Sequence, residues 1–184
     1  ALEALEAGRG RALLGESVAP VGVTPTTATI NVLKYGEEPK GRLVYRDGTS
    51  RDVAWKDVST TLRLLKDAEI RQLRLVEVLY PLEFLQRVNV VDTPGINSLN
   101  PEHEQTARAF IAEADAVVWL FTVDQAAKAT EGAALATIGQ AGKKVLGVVN
   151  KIDRADPEER DKILAHIQST VGDRLEAIVP FSAR

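Results

Sequence analysis

Apolar positions along this chain fall into two patterns. Short runs that are apolar almost throughout occur at Arg87 to Asp92, Ala116 to Val123, Lys144 to Val149 and Ala177 to Phe181. Runs of this length, rich in Val, Ile and Leu and bounded by turn residues, predict strands buried on both faces of a sheet. Between them lie helix signals. Asn100 and Pro101 supply an N-cap and a first helical residue, predicting a helix from Pro101 to about Ala114. A second begins at Thr130-Glu131, and Gly142 is placed to end it. Asp156-Pro157-Glu158-Glu159 repeats the cap signature with acids at the positive helix end, and Gly172 is placed as its stop. Alternating strands and helices predict an α/β fold with a mostly parallel sheet.

The middle of the chain reads differently. Leu73 to Tyr80 alternates apolar and polar residues in part, as a half-exposed strand does, and Pro81 ends it. Upstream, strands are expected at Ala28 to Tyr35, Arg42 to Arg46 and Arg51 to Trp55. Asp47-Gly48 turns the last two into an antiparallel hairpin, since both residues tolerate positive φ. A helix is expected near Val58 to Gln72.

Bulk composition narrows the class. With 184 residues, 45% of them hydrophobic, and no cysteine, the chain has material for a sizeable core and none for disulfides or thiolate metal sites. A formal charge of −3 argues against a nucleic-acid surface and excludes nucleic acid from the expected partners. The longest apolar run, Ala116 to Val123, is less than half of the roughly 20 residues that span a bilayer. A cytoplasmic location is expected, with peripheral membrane association only through segments outside this chain.

Chemistry concentrates where the apolar runs end. Asn150-Lys151-Ile152-Asp153 follows Lys144 to Val149. A carboxylate there can accept two hydrogen bonds from one edge of guanine, where adenine would offer an acceptor. Asn150 can reach the imidazole edge of the purine, and the methylenes of Lys151 can cover the ring. Asn-Lys-x-Asp arises by chance in roughly one chain in forty of this length, so alone it only suggests a base site. A second run ends in Asp92-Thr93-Pro94-Gly95. Asp92 can hold magnesium through water, and the Gly95 amide can approach a terminal phosphate closely. Ser182-Ala183 closes a third run, where a small residue lets a backbone amide reach the exocyclic oxygen of guanine. Ligand sites in open α/β sheets lie outside the carboxyl ends of strands, where all three motifs fall.

Together these residues resemble a GTPase of the P-loop class and, within it, the dynamin-like family, especially its bacterial members. The closest similarity is Leu13-Leu14-Gly15-Glu16-Ser17-Val18-Ala19-Pro20-Val21-Gly22-Val23-Thr24-Pro25-Thr26-Thr27-Ala28-Thr29-Ile30. The resemblance runs from about Leu13 to Arg184 and is thinnest over Tyr45 to Leu73. It implies a G domain: a three-layer sandwich with a mostly parallel sheet, and an extra antiparallel hairpin between the first switch and the Asp-Thr-Pro-Gly strand. It also implies GTP/GDP and Mg2+ as ligands. Asn150, Lys151, Asp153, Ser182 and Ala183 would then frame guanine, Gly95 would meet the terminal phosphate, and Thr24 and Asp92 would hold the metal. Thr24 would also take the catalytic role of the first switch, with Thr26 and Thr27 as open alternatives. Ile96 follows Gly95 where Ras-like proteins have the glutamine that orients water. Family practice implies instead a P-loop side chain with a monovalent cation, a nucleotide-dependent homodimer through the GTPase face, and membrane remodelling. Asp124 and Gln125 are candidates for that dimer contact or for simple loop capping.

One departure is large. The chain contains no Gly-x-x-x-x-Gly-Lys-Ser/Thr, the loop whose amides and lysine cradle phosphates. Its place is taken by Glu6-Ala7-Gly8-Arg9-Gly10-Arg11, and the apolar strand that should lead into it is missing too. Residues 1–184 are therefore expected to form an incomplete G domain, short of its P-loop near 8–12 and of a closing helix after 184. Feeble GTP hydrolysis is expected of this chain, and full hydrolysis of its intact parent. Other readings are an Era-like ribosome-associated GTPase, favoured by Val91 to Ile96, and a non-hydrolysing interaction module with a vestigial pocket. His103, His166 and Trp119 read as ordinary helix or core residues.

Overall fold

A computed structural model describes residues 29–93, 109–123 and 129–182 of the chain. They fall into two compact units, one within 29–93 and one within 109–182.

The first unit is a mixed sheet flanked by short helices. Its strands are β1 (Ile30–Tyr35), β2 (Lys40–Tyr45), β3 (Ser50–Ala54), β4 (Leu73–Tyr80) and β5 (Val90–Asp92), in the order β3-β2-β4-β1-β5. β1 and β4 run parallel, and every other neighbouring pair is antiparallel. On one face Leu43, Leu73, Val76 and Val78 pack with Val58 and Leu62 of α1 (Val58–Leu64). Gly41 lets α1 lie this close, since a Cβ there would stand 2.2 Å from Val58 Cγ2. The residues between them point to the other face and form a row of alternating charge. Arg42 sits opposite Glu77 on β4 and Asp52 on β3, Lys34 pairs with Glu77, and Lys40 reaches Asp52 at 3.0 Å. Hydrogen bonds from Arg42 and then Lys40 hold the Asp52 carboxyl down at about 2.

The hairpin forms where expected, but only Gly48 takes a positive φ, at 85°. Asp47 instead accepts hydrogen bonds from the Thr49 amide and hydroxyl. The helix expected over Val58 to Gln72 is two helices, α1 and α2 (Asp67–Gln72), because Leu65 and Lys66 are extended. Glu69 Oε2 accepts from the Lys66 amide at 3.0 Å, so the second helix starts afresh. The strand expected from Arg87 to Asp92 is confined to β5, after a 3-10 turn at Glu83–Gln86. β5 is not buried on both faces: Val91 is 40% exposed.

The second unit is the parallel sheet that the alternation predicts. β6 (Ala116–Thr122), β7 (Lys144–Asn150) and β8 (Ala177–Pro180) lie in that order, all parallel. α3 (Ala129–Gln140) precedes β7 and α4 (Pro157–Val171) precedes β8. Phe121, Val145 and Val149 are buried on the sheet, as are Leu135 and Ile138 of α3 and Ile167 and Val171 of α4. The opposite face is open among the described residues, with Val118 58% exposed and Leu146 and Val179 also exposed, so the expected burial holds on one face only. Asp156 Oδ1 accepts from the Glu159 amide at 2.8 Å and Pro157 opens α4, as the sequence predicts. Gly172 follows α4 in right-handed conformation, so that helix runs into a 3-10 turn without a left-handed stop. Gly142, at φ 70°, does close α3 in the left-handed region.

Residues 109–113 are helical, the last part of the helix expected from Pro101. Thr24, Thr26, Thr27, Gly95, Ile96, His103, Asp124, Gln125, Ala183 and the 8–12 segment lie outside the described residues. Among the described residues no helix is long and apolar enough to cross a membrane.

Candidate functional site

The carboxyl ends of β7 and β8 assemble one compact constellation. β7 ends at Asn150, 2% exposed, whose Oδ1 accepts a hydrogen bond from the Lys151 amide at 2.8 Å. Lys151 then takes φ 62°, ψ 29°, the single positive φ among described non-glycine residues. Left-handed backbone costs a lysine free energy, and such strain concentrates where a side chain must be aimed. The chain reverses there into a 3-10 turn, Ile152–Arg154, pinned by buried Ile152 and Ala155.

β8 holds this turn from the side. The Phe181 amide donates to the Val149 carbonyl at 2.9 Å, and the Ile152 amide donates to the Phe181 carbonyl at 3.2 Å. That clasp brings Ser182 to Asp153, where the hydroxyl donates to Oδ1 at 2.7 Å. Arg160 of α4 closes the far side, its Nε donating to the Ala155 carbonyl at 2.8 Å. Asn150, Lys151, Asp153 and Ser182, predicted from two motifs about thirty residues apart, are thus neighbours. Sequence reasoning missed the Phe181 backbone, because main-chain hydrogen bonds leave no residue-type signal.

Asp92 belongs to the other unit. It is the last residue of β5, with its surface exposed, and its Cα partner across the antiparallel pair is Asn31 of β1. Asn31 Oδ1 is shielded from solvent and has no hydrogen-bond partner. Sequence reasoning missed Asn31 as well; the available signal was a polar residue between Ile30 and Val32, both buried. Among the described residues no group of three or more His, Asp or Glu side chains gathers around one point.

A parallel α/β unit with an Asn-Lys-x-Asp turn and a serine at adjoining strand ends is the architecture of the GTPase G domain. Solved structures agree. A chain from an oligomerised bacterial dynamin pair, described as sensing and tethering membranes, matches 96% of this chain and 29% of its own with a TM-score of 0.70 at 20% identity. A variant of Era from Aquifex aeolicus bound to GDP and aluminium tetrafluoride matches 98% of this chain and 48% of its own, with a lower TM-score of 0.54 at 16% identity. The chain belongs to the dynamin family, whose profile matches residues 11–152. Its G domain is a dynamin-family GTPase domain. Dynamin-like protein 2 of Campylobacter jejuni is 28% identical over 163 residues, covering 85% of this chain. The chain spans 26% of the length of that relative.

Proposed function

We propose that this chain is the guanine-nucleotide-binding part of a dynamin-like GTPase, an incomplete G domain across residues 1–184. The observation that carries the reading is the bond from Ser182 Oγ to Asp153 Oδ1 beside buried Asn150. A hydroxyl donating to one carboxylate oxygen fixes the plane of the carboxylate, so its acceptors point in one direction. The two donors on the Watson–Crick edge of guanine match that pair of acceptors, and adenine presents an acceptor in their place. Asn150 meets the imidazole edge, the Lys151 stem covers the ring, and the Ala183 amide meets the exocyclic oxygen.

Magnesium is the metal this reading implies, and the chemistry around Asp92 fits it: an exposed carboxylate with a buried amide oxygen as its cross-strand neighbour, both hard oxygen donors. When bound, the cation neutralises charge that develops on the phosphates. Asp92 and Thr24 would hold it, and Gly95 would bring a backbone amide to the terminal phosphate. In the intact protein a water oxygen bonds to the γ-phosphorus as the bond to the β–γ bridging oxygen breaks, giving GDP and phosphate. This chain lacks the Gly-x-x-x-x-Gly-Lys-Ser/Thr loop that would grip those phosphates, so its own turnover is feeble. A monovalent cation, a nucleotide-dependent homodimer through the GTPase face, and cytoplasmic work on membranes through other segments complete the proposal.

Titration calorimetry of the chain with GDP and with ADP tests it. Heat with GDP and none with ADP supports the reading. Equal heats, or none with either, would leave the fold with a vestigial pocket.

A further inference from the structure

Asn31 is a polar residue in a place that rewards apolar ones. Its strand neighbours Ile30 and Val32 are buried, and in the parallel pairing it stands beside Val76, which is fully buried. Its Oδ1 is shielded from water and accepts no hydrogen bond. Leaving a buried acceptor unsatisfied costs free energy that an apolar residue of similar shape would not. Such a residue needs a reason that folding does not supply.

The neighbour on the other side supplies one. Asn31 and Asp92 are directly opposed across the antiparallel β1–β5 pair. Opposed residues point to the same face, with Cβ atoms about 4.5–5.5 Å apart. An amide oxygen without a donor therefore stands beside a carboxylate at a strand end, with Val76 on its other side. A hydrated divalent cation at the carboxylate resolves this arrangement, because its bound waters carry a proton for the amide oxygen.

We propose that Asn31 is a positioning residue for a divalent cation at Asp92, its Oδ1 accepting a hydrogen bond from a cation-bound water. The inference rests on the reading above only in placing a cation at Asp92. Partners that orient metal ligands from behind are worth about 10–100-fold in affinity.

The test is Mn2+ binding to the full chain by electron paramagnetic resonance, without nucleotide, for the wild type, N31L, N31D and D92N. The expected result is binding that D92N abolishes, that N31L weakens about tenfold or more, and that N31D, which keeps an oxygen acceptor, retains. Thermal denaturation of the same samples should give N31L a higher Tm than the wild type, since it removes the buried acceptor. A residue of merely structural value would lose stability instead. Equal Mn2+ affinity in wild type and N31L, or wild-type binding that D92N leaves intact, or none in the wild type, overturns the proposal. If N31L is misfolded by circular dichroism, N31D takes its place, and loss of binding in that variant overturns the proposal equally. Titrations with GDP in EDTA keep the two readings apart. Guanine-selective binding with Asn31-independent Mn2+ uptake defeats only this inference, and Asn31-dependent uptake without guanine selectivity defeats only the nucleotide reading.

Discussion

The ends of β7 and β5 carry the two best motifs of the chain, and they are built in opposite ways. At β7, the motif follows a strand with a parallel neighbour on each side, Asn150 is 2% exposed, and hydrogen bonds from β8 clasp the turn. At β5, three residues lean on a single antiparallel neighbour among the described strands, and Val91 is 40% exposed. The β7 turn is therefore tied down within its own unit, whereas the β5 end leans on one described strand. Rigidity suits discrimination between similar bases, where misplacement of a carboxylate erases the preference.

The difference can be broken by the same truncation in both places. Val149→Ala removes buried methyl groups beneath the β7 turn and should cost roughly 2–3 kcal/mol in urea denaturation. Val91→Ala should change stability by less than about 0.5 kcal/mol. Equal costs would mean that the β5 end is as firmly built as the β7 end.

Smaller changes sharpen the picture of the β7 turn. Ser182→Ala removes the donor to Asp153 and should weaken GDP binding about tenfold, equivalent to about 1.4 kcal/mol, with little change in Tm. Calorimetry on the variant reads this directly. Lys151→Gly keeps the backbone and relieves the left-handed strain, so stability should rise by roughly 1 kcal/mol while GDP affinity falls with loss of the ring cover. If both fall, the positive φ is not the source of strain.

The smallest effect concerns the charged row of the first unit. Asp52 titrates at about 2 in the folded chain, below the ~3.9 of a free aspartate. A lowered carboxyl stabilises the fold above ~3.9, and that contribution disappears as pH falls through about 2. Asp52→Asn should flatten the stability profile between those values and leave it unchanged in slope near neutrality. An exposed position and salt screening keep the effect slight.

Much of this was legible in the chain and some was not, for physical reasons. β4 matches the expected bounds Leu73 to Tyr80 because Pro81 fixes its end, but it is not half-exposed: the adjacent Leu75 and Val76 are both buried, one on each face of a central strand. α4 was readable from Asp156 and Pro157, whose cap and ring act locally. The break at Leu65-Lys66 was not, because Lys66 is no capping residue and the cap comes from Glu69 reaching back. Runs such as Val88 to Val91 or Ile178 to Phe181 look like two-sided core, yet apolar composition does not say whether a second face finds a cover. At the candidate site, the gathering of Asn150, Lys151, Asp153 and Ser182 was legible because each stands where an apolar run ends, and the structure brings those ends together. The left-handed turn at Lys151, the Phe181 clasp and the solitary Asn31 oxygen belong to tertiary geometry, which leaves no pattern in a single sequence.

The central claim is that the Asp153 carboxylate chooses the base. The direct measurement is the affinity of the chain and of Asp153→Asn for GDP and for xanthosine diphosphate, which carries a keto oxygen where guanine carries its amino group. An amide can donate to that oxygen, so GDP preference is predicted in the wild type and a reversal toward xanthosine diphosphate in the variant. Undiminished GDP preference in Asp153→Asn would contradict the claim.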